Sequence, residues 1–169
     1  MHQFNDPIED YLHFIRVERQ LSDNTLQSYK RDLVGYAHHL QHVQQLVSFN
    51  EVTRQHILLY LESMYGMGKS ARTVSRHISS IRSFHQFLLR EKVTETDPTV
   101  HLEMPKLEQK LPRVLSIEEI DILLTAPSIE KPQGIRDIAL LELLYGSGMR
   151  ISELIDLDLE DIHITMGFV

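Results

Sequence analysis

Leu143-Leu144-Tyr145-Gly146-Ser147-Gly148-Met149-Arg150-Ile151-Ser152-Glu153-Leu154 is the stretch on which the reading of this chain turns. An apolar helical run meets a Gly-Ser-Gly turn, and one arginine stands where the next helix is predicted to begin. Glycine on both sides of Ser147 permits positive φ and a close approach by another backbone or a ligand. An arginine at a helix start lies among free N–H groups and the positive end of the helix dipole, a setting that favours phosphate. Its guanidinium holds two phosphate oxygens at once and cannot lose its charge. Arg150 is thus a candidate phosphate clamp. The competing reading is an Arg150–Glu153 surface pair one turn apart, worth roughly a few tenths of a kcal/mol. The residues alone favour the pair, because a single Gly-x-Gly-x-Arg is a weak signal.

Outward from this stretch, the helix from about Ile135 to Tyr145 is apolar nearly all round, which predicts burial in a larger body. Pro127, Pro132 and Gly134 are expected to bound a loop before it. Leu115-Ser116-Ile117-Glu118-Glu119 reads as a capping box, opening a helix with Ile117, Ile120, Leu123 and Leu124 on its apolar face. Ile162 to Val169 alternates like the first strand of a sheet. A single strand without partners is not stable, so strand, helix and irregular chain all remain open there.

The first half reads as a succession of capped helices and no strands. Asp6-Pro7-Ile8-Glu9 is a capping box with proline at the first helical position, followed by Ile8, Tyr11 or Leu12, Ile15 and Arg19 at helical spacing. Ser22 in Leu21-Ser22-Asp23-Asn24-Thr25 offers the next cap, ahead of the stripe Leu26, Tyr29, Leu33, Ala37 and Leu40. Thr53 is predicted to cap a third helix with Ile57, Tyr60, Leu61 and Met64 inward, ending at Gly66 or Gly68. Ser70 opens a fourth, with Val74, Ile78, Ile81, Phe84 and Leu88 on one face. Four helices with short joints predict a small bundle over residues 1–91. Residues 92–113, broken by Pro98, Pro105 and Pro112 and carrying Lys106, Lys110 and Arg113, read as an extended tether. A second domain is expected over 114–169.

The fourth helix carries a positive stripe. Arg72, Arg76, Ser79, Ser83, Gln86 and Arg90 share the face opposite the apolar one, Lys69 precedes the helix and Arg82 flanks it. Cations mixed with short hydrogen-bonding side chains suit phosphate contacts by a helix lying against a groove. An ordinary solvated face fits the spacing equally well. His38 and His42, at i and i+4, have metal-ligand spacing, but no nearby carboxylate or thiolate completes a site, and an exposed polar helix end is the better reading.

Charge limits any nucleic-acid role. The chain is at −7, with Lys and Arg against Asp and Glu counting 11 to 12 in residues 1–105 and 6 to 12 in residues 106–169, which sum to the 17 and 24 of the whole. A DNA-binding face is therefore expected to be local, a stripe rather than a field. With no cysteine, disulfides, a thiolate nucleophile and a thiolate zinc site are excluded. No apolar run approaches membrane-span length and the first ten residues do not resemble a signal peptide, so a cytoplasmic protein without membrane contact is expected.

Tyr145 to Leu154 resembles the box around the first catalytic arginine of the tyrosine recombinases (phage integrases), a Y-x-T/S-G-x-R-x-S-E-L string. Gly134 to Leu144 is similar to the Xer branch. Leu21-Ser22-x-Asn24-Thr25-x-x-x-Tyr29-x-x-Asp32-Leu33 and Ser70-x-x-Thr73 through Ile81-Arg82-Ser83-Phe84 resemble the two helical boxes of that family's core-binding domain.

The resemblance implies a mainly α chain: a four-helix, SAM-like core-binding bundle, a linker, then the first helices and first strand of the catalytic domain. It implies Arg150 as a catalytic arginine supported by Glu153, and Lys69, Arg72, Arg76, Ser79, Arg82 and Ser83 as DNA contacts. It implies attack by a tyrosine to leave a 3′-phosphotyrosyl bond, with no metal and no cofactor, so Asp156, Asp158 and Asp161 are read as helix-end and loop residues. Implied partners are a duplex recombination site, a sister Xer recombinase (XerC-like) and a septal DNA translocase of the FtsK type, acting in chromosome-dimer resolution.

The family's nucleophile box is not matched around any of Tyr11, Tyr29, Tyr36, Tyr60, Tyr65 or Tyr145. The 169 residues are therefore expected to be the front part of a recombinase, binding DNA without cleaving it. The compact N-terminus favours the Xer type over a phage or transposon integrase. A non-catalytic helical DNA-binding or interaction module is the alternative.

Overall fold

Short-range capping chemistry starts the helices that matter for the rest of the molecule. The computed structural model describes residues 2–106, 112, 114–163 and 166, and divides the chain into two units, Met1–Gln109 and Lys110–Val169. Among the described residues the first unit holds α1 (His2–Val17), α2 (Asp23–His42), α3 (Arg54–Gly66) and α4 (Ala71–Arg90), with a 3-10 turn at Phe49–Glu51. Ser22 Oγ accepts from the Thr25 N–H at 3.4 Å and Ser70 Oγ from the Thr73 N–H at 3.2 Å, each satisfying a free donor of the first turn. At α3 the cap is reversed, the Thr53 N–H donating to His56 Nδ1 at 3.1 Å.

Three stripes fall inward as their spacing predicts: Leu26, Leu33, Ala37 and Leu40 on α2, Ile57, Tyr60, Leu61 and Met64 on α3, and Val74, Ile78, Ile81, Phe84 and Leu88 on α4 are all buried. An aromatic group closes the core, with Phe84 edge-on to Phe49 at 4.9 Å and to Tyr11 at 5.4 Å between ring centroids.

Three expectations for this unit are corrected. The first helix begins at His2, so Pro7 lies inside it rather than at its first position. Phe4 is buried and packs edge-on against Phe49 at 4.7 Å. Burying Phe4 and Ile8 returns roughly 2 kcal/mol each, enough to offset the about 3 kcal/mol of an interior proline. The same helix ends at Val17, which leaves Arg19 beyond it. The stretch expected as a tether is folded onto the bundle as far as its described part shows. Thr94, Thr99 and Leu102 are buried, and Arg82 Nη2 donates to the Leu102 carbonyl at 2.7 Å. Residues 107–111 and 113 of that stretch lie outside the described residues.

The second unit holds α5 (Ile117–Thr125), α6 (Pro132–Ser147) and α7 (Ile151–Ile155), then a 3-10 turn at Leu159–Asp161. Ser116 and Glu119 form the expected capping box, Ser116 Oγ accepting from the Glu119 N–H and the Glu119 carboxylate from the Ser116 N–H. Pro132 and Gly134 belong to the first turn of α6, not to a loop. A Cβ on Gly134 would fall 1.9 Å from the Ser128 carbonyl oxygen, so the preceding turn closes directly on the helix backbone.

Burial of α6 is not realised within this unit: Ile135 is 59% and Tyr145 57% exposed, and Leu154 is the one hydrophobic side chain of the unit that is buried among the described residues. Among the described residues only two short helices, α5 and α7, pack on this apolar helix, too few to cover it. Of the strand expected over 162–169, residues 164, 165 and 167–169 lie outside the described residues. No helix among the described residues is long and apolar enough to cross a membrane.

His85 links this core to pH. It is fully buried, Nε2 lies 3.1 Å from the Tyr36 hydroxyl, and Nδ1 has no hydrogen-bond partner among the described residues. Burial pushes its pKa down to about 4, against a smaller opposing pull from Asp97. Below pH ~6.5 the unfolded chain protonates this histidine while the folded chain does not, so stability falls with pH until about 4. Denaturant unfolding at pH 7 and pH 5 is expected to show a loss of about 2 kcal/mol from this residue, and His85→Phe is expected to remove that part of the slope.

Candidate nucleic-acid interface and catalytic arginine

Helix α4 carries its core on one side and its cations on the other. Lys69, Arg72, Arg76, Ser79, Gln86 and Arg90 are exposed, while Arg82 and Ser83 are half-buried. The start of α2 comes up beside the first half of α4, and the two flank an open cleft of about 340 Å³ lined by Asn24, Thr25, Ser28, Tyr29, Asp32, Arg76, Ser79 and Ser80. Asp32 forms its floor. Its carboxylate is 1% exposed and accepts from Arg76 Nη1 at 2.6 Å to each oxygen and from the Ser80 hydroxyl at 2.9 Å. His77 Nε2 lies 3.2 Å from the same carboxylate, and His77 Nδ1 is 3.1 Å from the Tyr60 hydroxyl. Burial lowers the His77 pKa, opposed by the Asp32 charge and reinforced by Arg76 and Lys69.

The residues predicted as DNA contacts therefore divide. Lys69 and Arg72 are exposed and form no ion pair among the described residues. Arg76 is tied at one nitrogen to Asp32 yet has a side chain 45% exposed. The Ser79 hydroxyl donates to the Ser75 carbonyl at 3.1 Å and still faces the cleft. Arg82 is engaged with the Leu102 carbonyl. Ser83 Oγ accepts from the Tyr11 hydroxyl at 2.8 Å and from Arg19 Nη1 at 3.4 Å. Arg90 lies over the Phe14 ring at 3.9 Å and pairs with Glu91 at 2.9 Å.

Six of the cleft's lining residues, Asn24, Thr25, Ser28, Tyr29, Asp32 and Ser80, were not among the predicted DNA contacts, although Asn24, Thr25, Tyr29 and Asp32 stand in the quoted α2 box. Asn24, Thr25 and Ser28 lie one turn apart at the start of α2, and a count of polar residues on that turn would have found them. Asp32 stands as an acid between Tyr29 and Leu33 in an apolar stripe, a signal for a buried and therefore partnered carboxylate. The placement of Arg19 against Ser83 follows from tertiary packing alone.

In the second unit, Gly148 takes φ +67 and its N–H donates to the Leu144 carbonyl at 3.0 Å, the left-handed cap that lets the chain turn into α7. Arg150 is the residue before α7, with a side chain 82% exposed. Its N–H donates to Glu153 Oε2 at 2.7 Å and its Nη1 to Glu153 Oε1 at 2.9 Å. The Arg150 backbone and guanidinium hold the Glu153 carboxyl below its usual range. The pair one turn apart is thus formed, and it fixes the base of the Arg150 side chain while leaving the rest of the guanidinium accessible.

Comparison with known proteins agrees with both units. A model of the phage integrase N-terminal SAM-like domain matches residues 8–92, and one of the phage integrase family matches residues 113–169. The chain is 50% identical over 162 residues to the tyrosine recombinase XerD of Oceanobacillus iheyensis, covering 96% of this chain and 54% of the relative. It is 48% identical over 169 residues to XerD of Halalkalibacterium halodurans, covering 100% and 56%. XerD of Staphylococcus haemolyticus is 48% identical over 162 residues, at 96% and 55% coverage. The chain spans about half the length of these relatives. With both of its units matched, the mainly helical chain belongs to the phage integrase family of tyrosine recombinases.

Proposed function

We propose that the first unit is a duplex-DNA-binding module, and that the sequence serves a site-specific tyrosine recombinase of the XerD type. The observation that carries the DNA reading is the convergence of two separate sequence boxes on one face. The start of α2 and the first half of α4 line a single cleft, and the exposed cations Lys69 and Arg72 precede Arg76 in the chain, Arg72 by one turn of α4. Hydroxyl and amide groups flanked by guanidinium and ammonium suit the phosphate backbone. The near-neutral balance of residues 1–105 makes this a small electrostatic footprint, so binding rests on few phosphate contacts.

In the complete recombinase, Arg150 is proposed to hold the non-bridging oxygens of the scissile phosphate while a tyrosine attacks it, leaving a 3′-phosphotyrosyl bond and a free 5′-hydroxyl. The guanidinium meets charge that builds in the transition state, and Glu153 keeps it aligned. A sister Xer recombinase, a septal DNA translocase of the FtsK type and chromosome-dimer resolution in the cytoplasm at cell division complete the proposal; identity of 48–50% to proteins called XerD supports the assignment.

Titration of the chain against a duplex carrying a Xer-type site and a scrambled duplex, over a salt series, tests the binding role. The site is expected to bind more tightly, with log Kobs falling against log salt at a slope of about −2 to −4, and Lys69→Gln or Arg72→Gln each lowering the slope by about 1. Absence of binding at low salt would overturn it. In the complete protein, Arg150→Ala is expected to reduce strand cleavage by about a hundredfold or more while site binding is kept; intact cleavage with lost binding would remove Arg150 from the proposed role.

A further inference from the structure

Asp32 is the one carboxylate buried in the first unit among the described residues. A buried carboxylate is tolerated only when donors surround it. Here the donors are Arg76 Nη1 and the Ser80 hydroxyl, with His77 Nε2 3.2 Å from one carboxylate oxygen. The Arg76 contact is one-sided. A single nitrogen, Nη1, reaches both carboxylate oxygens, and Nε and Nη2 have no partner among the described residues. These two nitrogens belong to a side chain 45% exposed at a cleft whose other lining includes the hydroxyls of Thr25, Ser28 and Ser79.

We propose that Asp32 is a positioning residue for DNA binding: it holds Arg76 so that the unengaged guanidinium nitrogens meet a backbone phosphate at the mouth of the cleft, among the hydroxyls of Thr25, Ser28 and Ser79. The inference rests on the DNA-binding role proposed above. A free arginine loses its rotamer freedom when it grips a phosphate, whereas Arg76 has lost it already in folding. The carboxylate also carries a negative charge near the phosphate, and by Coulomb's law alone its removal strengthens binding. Positioning and simple charge balance therefore predict opposite signs for the same substitution.

The test is a double-mutant cycle by fluorescence anisotropy with a labelled duplex at low salt, using the wild-type chain, Asp32→Asn, Arg76→Gln and the double variant, each melted separately to establish that it is folded. Asp32→Asn is expected to weaken binding about tenfold although it removes a negative charge, and to cause no further loss in the Arg76→Gln background. Equal or tighter binding by Asp32→Asn overturns the proposal, as does an equal loss in both backgrounds, which is the mark of a merely structural role. If Asp32→Asn melts below the assay temperature, Ser80→Ala replaces it. That variant keeps the carboxylate and removes one group orienting it, with an expected loss of about threefold confined to the Arg76 background. No salt-sensitive binding by the wild-type chain would remove the DNA role itself, and this proposal with it.

Discussion

The Asp32 carboxylate, enclosed between α2 and α4, bonded by Arg76 and Ser80 and flanked by His77, sets how the two long helices of the first unit meet. Apolar stripes bring helices together without fixing their rotation to the last few degrees, because hydrophobic contact is non-directional. A buried charge is directional and costly to leave unpaired, although the half-exposed Arg76 makes this pair less costly to break than a fully buried one. Register errors between α2 and α4 would separate Asp32 from its two donors, Arg76 and Ser80. The same contact also shapes the cleft, whose walls are the two turns of α2 before Asp32 and the turn of α4 after Arg76.

That arrangement explains how a chain at −7 can present a surface for an anion. The first unit does not rely on a broad positive field. It places a few cations where helix geometry puts them on one side of α4, and ties others into the fold: Arg82 to the Leu102 carbonyl, Arg90 to Phe14 and Glu91. A cation spent on a carbonyl or a ring contributes structure more than attraction. The second unit is built on another principle, with little enclosed core and an arginine presented at a turn. Gly148 allows the left-handed turn, and Glu153 takes up the Arg150 backbone and side chain together.

Much of the helical frame was legible because capping is local. Ser22, Thr53, Ser70 and Ser116 act on residues within one turn, and each starts a helix where predicted. Inward stripes on α2, α3 and α4 follow from period alone. The start of α1 was not legible, since Pro7 is a good local signal and the contact that overrides it joins Phe4 to Phe49 across the bundle. The prolines near residues 98 and 105 rightly excluded helix, but exclusion of helix does not distinguish a free tether from chain laid on a core by Leu102 and Arg82. The stripe on α4 shows the same limit. Spacing says which residues share a face, not which of them already have partners. At Arg150 the spacing was sufficient, because Glu153 is a local partner.

On the proposed reading, the face shared by the start of α2 and the first half of α4 is where this chain meets DNA. Amide hydrogen exchange of the chain with and without saturating duplex at low salt tests that claim most directly. The account predicts added protection confined to residues 22–31 and 69–83, with α3 unchanged. Protection centred on α3 or on the outer side of α1, with the α2–α4 face unaltered, would contradict it.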